Sequence, residues 1–339
     1  MKIVHLSRRY WPSIGGVETH LANLNQHLTE HDLTVITEQF AADLKKSEIH
    51  QGVLIKRLAV GQTQRSWSDK IKIWQGIGQN WSLIRQADII QIHDVFWWLL
   101  PFLLLLLDKS VFMTFHGHEG PANPSPQQIF WHWLAAKLTR GNLCVGGFHQ
   151  QWYHVRPTFI TYGAVETTNL MKSPAKSRRN YIYVGRLAED NHWLEYLQAF
   201  KILQSLHRHL HLDIYGDGPL RAAGEKWVKK NRLNATFHGF VDHAKINYHH
   251  YQLAFVSRYL AILDALAAAT PVVALCRPGI KYDYLAKSPF ARWLPIVTNP
   301  DQLVEAVQSQ PQLPQAAVTW ARQQTWTKLT KLYKQLWQI

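Results

Sequence analysis

Five short segments place residues with distinct chemistry beside or within apolar runs. Val184-Gly185-Arg186-Leu187 puts a guanidinium just past the run Tyr181–Val184. An arginine there is a forked, permanently charged donor set, suited to a diphosphate or equally to an interdomain salt bridge. Asp264 is a single carboxylate within the small-residue run Ala261–Ala269. Such a group either caps or ion-pairs, or it grips ligand hydroxyls. The loop ahead of that run offers backbone N–H groups to a phosphate. His116, in Thr114-Phe115-His116-Gly117-His118-Glu119, follows an apolar strand pattern, at the end of a strand where open α/β sheets bind ligands. With His118 and Glu119 it also has the residue types of a metal pair. His93-Asp94 follows another strand in the same way. Gly15-Gly16 lies between a strand and a helix, where missing side chains let the backbone approach a ligand and the helix N-terminus attracts an anion. An ordinary tight turn is the plain alternative. No G-x-G-x-x-G follows the first strand, which counts against a nicotinamide dehydrogenase.

The elements that must position these groups alternate in type. Lys2–Leu6 reads as a strand, Val17–Leu28 as a helix through Val17, Leu21, Leu24 and Leu28, and Leu33–Thr37 as a second buried strand. Further strands fit at Val53–Arg57, Ile89–His93, Val111–Phe115 and Asn142–Val145. A second series starts near residue 180, with strands at Tyr181–Val184, Leu210–Tyr215, Ala235–Gly239, Leu253–Val256 and Pro271–Ala274 and helices at Leu194–Leu206 and Ala261–Ala269. Short apolar strands alternating with helices predict parallel sheets with crossover helices. The chain therefore reads as two doubly wound, Rossmann-like α/β domains facing one cleft, divided as 1–165 and 166–318 with a linker at 165–179. Residues 319–339 form a C-terminal helix that packs back on the first domain, within one helical stretch spanning Gln315–Gln338 and rich in Trp and Lys.

Composition narrows the class. The 339 residues are 47% hydrophobic and 18% charged, as in a folded two-domain protein rather than a disordered one. Cys144 and Cys276 lie far apart in apolar surroundings and read as buried thiols of a reducing compartment. The N-terminus runs straight into a strand pattern without a signal peptide. The apolar run Val95–Leu107, interrupted by Pro101, is too short to span a membrane. It predicts a buried helix, with a membrane-dipping helix as the alternative. The net charge of +14 is spread with no run of Lys/Arg longer than two, favouring a broad field toward phosphorylated ligands or an anionic membrane surface over a nucleic-acid arm.

Taken in order, these segments resemble family 4 of the retaining glycosyltransferases, which have the GT-B fold. Ser13-Ile14-Gly15-Gly16-Val17-Glu18 is similar to that family's N-terminal glycine loop, Thr114-Phe115-His116-Gly117 to its strand-end histidine motif, and Val184-Gly185-Arg186-Leu187 to its diphosphate arginine motif. Ile214-Tyr215-Gly216-Asp217-Gly218-Pro219-Leu220 resembles its second glycine loop, and Ala267 to Ala274 its A-x-G-x-P-V-V-A pattern. Ser257-Arg258-Tyr259-Leu260-Ala261-Ile262-Leu263-Asp264-Ala265 resembles the compact loop of a subset of the family.

The resemblance implies metal-independent transfer of a hexose-type sugar from a nucleoside diphosphate sugar to a glycan or lipid-linked acceptor hydroxyl. It implies no cofactor beyond the donor. Arg186 would hold the phosphates, with Asn191 and the backbone of Tyr259 and Leu260 beside it. Gly15 and Gly16 would face the donor or acceptor, His116 the donor sugar, and Asp264 the nucleotide ribose. His116 and Arg186 are the expected catalytic residues. Apart from the resemblance, the buried thiols suit a cytoplasmic setting, and the basic charge and aromatic-rich segments suit a peripheral position on the inner membrane face. The sequence departs from the pattern at Asn191, where the family has a lysine, at Val256, where it has a first glutamate, and at Ala269, where it has a glycine. Asn191 and Val256 motivate the alternative of a non-catalytic GT-B protein that binds a sugar nucleotide or glycan.

Overall fold

A computed structural model describes residues 1–60, 67–118, 120, 122–166, 180–241 and 245–339. Most of the expected linker at 165–179, and Glu119 of the histidine segment, lie outside the described residues. The chain forms two compact units, one of residues 1–117, 125–161 and 326–339, the other of residues 118–124 and 162–325. This differs from the division expected at 165/166 and 318/319.

In the first unit the order is β1 (Lys2–Ser7), α1 (Gly16–Gln26), β2 (Asp32–Glu38), β3 (Ser47–His50), β4 (Val53–Leu58), α2 (Trp67–Gln79), α3 (Trp81–Gln86), β5 (Ile89–His93), β6 (Ser110–Phe115), α4 (Pro126–Leu138), β7 (Gly141–Val145), α5 (Phe148–Trp152) and β8 (Phe159–Thr161). The sheet runs β3-β4-β2-β1-β5-β6-β7-β8. It is parallel except for the edge hairpin of β3 and β4. β5 is buried along its whole length, as a strand covered on both faces must be.

The second unit contains β9 (Asn180–Val184), α6 (Trp193–Leu206), β10 (His211–Tyr215), α7 (Arg221–Asn231), β11 (Ala235–Gly239), β12 (Leu253–Phe255), α8 (Tyr259–Ala267), β13 (Val272–Leu275), α9 (Ile280–Ala286), β14 (Ile296–Val297), α10 (Pro300–Gln308) and α11 (Gln315–Arg322). Its sheet order is β11-β10-β9-β12-β13-β14, with every pair parallel. Trp193, Tyr196 and Phe200 of α6 are fully buried against β9 and β12, with the Tyr183 and Trp193 rings 4.7 Å apart.

Strand order reverses between β1 and β5 in the first sheet and between β9 and β12 in the second. Loops leaving the carboxyl ends of strands at such switch points diverge and leave room for a ligand. Both Cys144 and Cys276 are buried free thiols.

Two expectations fail. Residues 95–107 do not form a buried helix. They make two 3₁₀ turns, Phe96–Trp98 and Leu100–Leu106, with Leu104, Leu105 and Leu107 exposed by 81%, 58% and 81%. Pro101 cannot donate into an α-helical ladder, and a segment that is apolar on every side must expose one of them. The connections from β4 to β5, β5 to β6 and β6 to β7 all run in one direction across the sheet. Right-handed crossovers therefore place these turns on the same face as α2, α3 and α4. That layer also exposes Trp67, Ile71, Phe130, Trp133 and Leu138.

The expected single helix over 315–338 is two. The chain extends at Gln324 and Thr325, where Val165 donates its N–H to the Gln324 carbonyl at 2.7 Å and bridges to Thr325. It then restarts as α12 (Trp326–Trp337), which belongs to the first unit and packs on α1, β6, β7 and β8.

Ala269 closes α8 with φ of 56°, a left-handed conformation. There an L-residue costs roughly 1–2 kcal/mol, while a glycine costs roughly 0.5–1 kcal/mol more unfolded-chain entropy. Ala269→Gly is expected to raise stability by up to about 1 kcal/mol in urea unfolding; an unchanged or lower midpoint would show that the neighbouring packing, not the backbone, sets the balance.

Candidate active site

In the second unit, the loops after β9 and β10 support each other through their backbones. Gly185 donates its N–H to Tyr215 O, Leu187 to Asp217 O and Leu220 to Leu187 O, at 2.9–3.1 Å. A Cβ on Gly216 would lie 1.9 Å from Gly185 O, and one on Gly218 2.5 Å from Leu187 O. The glycines of the Gly216–Gly218 loop are therefore needed for backbone contact with the segment that carries Arg186.

Arg186 follows β9 as expected, with its side chain 62% exposed. One terminal nitrogen, Nη2, donates to both oxygens of Asp190, at 3.0 and 2.9 Å. Asp190 sits on the short turn Glu189–Asn191 and is itself only 10% exposed. Its carboxylate also receives Arg258 Nη2 at 2.9 Å. Burial pushes the Asp190 carboxyl up, but Arg258, Arg186 and Lys281 outweigh it and hold it below the usual carboxylate range. Asn191 is buried and spans the two arginines, its Nδ2 donating to Arg186 O at 3.0 Å and its Oδ1 accepting from Arg258 Nε at 2.7 Å. The amide expected to meet the donor is used instead as a bracket.

Arg258 ends the loop after β12 and precedes α8, whose first turn no side chain caps. The expectation for Tyr259 needs correcting. Its backbone N–H donates to the Tyr284 hydroxyl at 3.1 Å, and its ring stacks on Tyr284 with centroids 3.8 Å apart. Asp264 is half-buried one helical turn past Leu260, and its charge raises the Tyr248 phenol further after burial has done so. Val256 is fully buried at the end of β12. Arg258, Lys281, Asp190 and Ser257 line one small pocket. In the sequence Arg258 is marked only as a charged residue directly before a small-residue helix, and nothing local marks Lys281.

In the first unit, His116 is held at three points beyond the end of β6. Its N–H donates to Asp94 Oδ1 at 3.0 Å, its carbonyl accepts from His149 Nε2 at 2.8 Å, and its ring Nε2 meets His93 Nδ1 at 2.9 Å. His93 Nε2 in turn meets His5 Nδ1 at 3.2 Å, linking three imidazoles across β1, β5 and the end of β6. His20 of α1, four residues past Gly16, lies edge-on to His116 with centroids 4.9 Å apart. The Gly15-Gly16 turn and His116 are thus brought together through α1. Gly15 is extended and a Cβ there would meet the Glu18 carboxylate, whereas the space around Gly16 is open. His118 falls in the second unit, with its Nε2 2.6 Å from the Ala122 carbonyl.

The C-terminal α12 completes the cluster. Tyr333 OH lies 2.9 Å from His20 Nε2 and 2.9 Å from Thr114 Oγ1, while Trp337 Nε1 donates to Gln91 Oε1 at 2.9 Å. His5, His20, Tyr333 and Trp337 are far apart in sequence, so no local pattern announces them. Among the described residues His5 Nε2 has no partner. A proton there would be an orphaned buried donor, so the network assigns donation from His5 to His93 to His116, leaving the His116 proton on Nδ1.

Burial pushes His5 down to about 3 and His20 to about 4, and takes His93 and His116 well below the ordinary value. These rings are neutral near pH 7. The unfolded chain takes up their protons as pH falls through 6.5, while the folded state does not. Stability is therefore fully present above about pH 6.5 and falls toward pH 4, at about 1.4 kcal/mol per pH unit for each such histidine. Urea midpoints measured from pH 7.5 to 4.5 should decline accordingly, and less steeply in His20→Gln; equal slopes would remove His20 from the buried neutral set.

Comparison with known proteins adds two family matches. Residues 14–155 match the model of Glycosyltransferase Family 4, and residues 178–309 match Glycosyl transferases group 1. Among curated proteins, the GDP-mannose:cellobiosyl-diphosphopolyprenol alpha-mannosyltransferase of Xanthomonas campestris is 30% identical over 128 residues, 34% of this chain and 31% of that protein. Such matches span about a third of the curated relatives' length. The sucrose-phosphate synthase of Thermosynechococcus elongatus superposes with a TM-score of 0.75 at 14% identity, covering 99% of this chain and 98% of that one. HepE of Anabaena, solved with UDP and glucose, gives 0.66 at 13% identity over 99% and 98%. Both share the fold.

Proposed function

We propose, from the premise that this chain belongs to glycosyltransferase family 4, that it moves a sugar from a nucleoside diphosphate sugar to a hydroxyl of a glycan or lipid-linked acceptor, with retention at the anomeric carbon. The observation that carries this reading is the grouping of Arg186, Arg258 and Lys281 about the single carboxylate of Asp190, at the switch point of the second sheet. The arrangement has a surplus of positive charge and suits a ligand with several anionic oxygens. When the bond from the anomeric carbon to the diphosphate breaks, negative charge builds on the leaving group. Fixed cations and the uncapped first turn of α8 stabilise it there. In this scheme side chains and the helix terminus take the place of a metal. His116, neutral and held at three points, is assigned to the donor sugar as a hydrogen-bonding group rather than a cation. Asp264 is assigned to the nucleotide ribose, and Gly16, in open space, to the donor or acceptor. A binding-only protein is the weaker reading, because the cationic character of the site survives the loss of a lysine at position 191.

UDP is the first nucleotide to test, since HepE holds UDP and glucose. UDP or GDP is expected to raise the melting temperature, and Arg186→Ala to lower the affinity about tenfold or more. His116→Ala should lose turnover while keeping nucleotide affinity, and a chelator should leave the rate unchanged. No response to any nucleoside diphosphate would sink the proposal.

We further place the protein at the inner face of a membrane, as a peripheral protein. The support is the apolar layer of the first unit, with Leu104, Leu105, Leu107, Phe130 and Trp133 exposed. Lys70, Lys72, Arg85, Lys109, Lys137 and Arg140 lie within or beside its segments. Trp and Leu with flanking cations suit an anionic lipid interface, and no described helix is long and apolar enough to cross a membrane. Vesicles containing anionic lipid should sediment the protein, and Leu104→Glu with Leu107→Glu should release it; unchanged sedimentation of that variant would exclude this layer.

A further inference from the structure

We infer that Arg258 is a second diphosphate-binding arginine, with Asn191 as its positioning residue. The inference rests on the proposed nucleotide-sugar reading.

Arg258 is fixed on two of its three nitrogens. Nε donates to Asn191 Oδ1 at 2.7 Å, and Nη2 donates to Asp190 Oδ2 at 2.9 Å and to Asp190 O at 3.3 Å. Nη1 has no protein partner among the described residues, and the side chain is 30% exposed in the wall of the small pocket. Arg186 is fixed to the same carboxylate through Nη2 alone. Asp190 therefore holds two guanidinium groups side by side while each keeps N–H groups for a ligand. One carboxylate faces two arginines and the field of Lys281, so the cluster is positive by more than one charge. The two arginines come from loops after β9 and β12, the neighbouring strands between which the order reverses.

A purely structural role for Arg258 would need only its contacts to Asp190 and Asn191. That role does not account for an Nη1 left without a protein partner among the described residues on an arginine that lines the pocket, nor for a buried asparagine bridging two arginines. Asn191 suits the task because a neutral amide can accept from Arg258 and donate to Arg186 O at once, whereas a lysine could only donate and would face Arg258 with a like charge. The charge absent from position 191 thus resides on the side chain that position 191 holds.

Isothermal titration of the full chain with UDP, UMP and uridine separates the outcomes, with GDP, GMP and guanosine used if the chain prefers that base. Arg258→Ala is expected to lower UDP affinity about 10- to 100-fold and to leave uridine affinity unchanged. Because Asn191 touches Arg258 directly, a lysine at 191 can return the cation once the arginine is gone; Asn191→Lys with Arg258→Ala should recover most of the lost UDP affinity. Asn191→Leu should weaken UDP binding less than Arg258→Ala does. Equal UDP affinity in Arg258→Ala and the unaltered chain overturns the inference. Equal losses for UDP and uridine reduce Arg258 to a structural role and overturn it as well. Failure of the unaltered chain to bind any nucleoside diphosphate counts instead against the nucleotide-sugar reading itself.

Discussion

The carboxylate of Asp190 organises the second unit's site. It is nearly buried, and a buried charge is tolerated only when paired and hydrogen-bonded. Two arginines from separate loops satisfy it, and in doing so they become fixed relative to each other. Arg186 can reach it because β9 ends two residues earlier and the turn Glu189–Asn191 folds back. Arg258 can reach it because β12 pairs directly with β9. The glycines at 216 and 218 then bring the β10 loop close enough to brace the first segment. Removing any of these elements would leave a flexible arginine, which is a poorer ligand than a preorganised one.

The first unit solves a different problem, placing an uncharged imidazole reproducibly. Burial keeps His116 neutral, and a neutral ring must have its tautomer set by neighbours. His93 and His5 do this from adjacent strands, while α12 seals the cluster with Tyr333 and Trp337. This explains why the last helix belongs to the first unit although residues 162–325 before it belong to the second. The polar core it closes would otherwise be open to water.

A third constraint is the apolar layer on α2, α3, α4 and the turns between residues 95 and 107. Its side chains exceed what the sheet face can cover, so several leucines and tryptophans remain outside. α4 leaves Phe130, Trp133 and Leu138 exposed, and a helix with apolar residues on its outer side ordinarily lies in a core or against an apolar medium.

The longer strands, their alternation with helices and hence two doubly wound sheets were legible in the residue pattern, whereas the short strands β3, β8 and β14 were not. Arg186 at the end of β9, His116 at the end of β6 and Gly15-Gly16 at the start of α1 were legible because each directly follows or precedes a strongly apolar element. Local periodicity carries that information. Partners distant in the chain lie beyond its reach. Asn191 reads locally as a lost cation, yet it is a bracket for Arg258, 67 residues on. Tyr259 reads as a phosphate-binding backbone, yet its N–H is taken by Tyr284. The exposure of Leu104 and Leu107, the break at Gln324–Thr325 and the histidine chain through His5 share one cause. Each depends on which strands lie side by side and how much surface they cover, and spacing along the chain does not encode that.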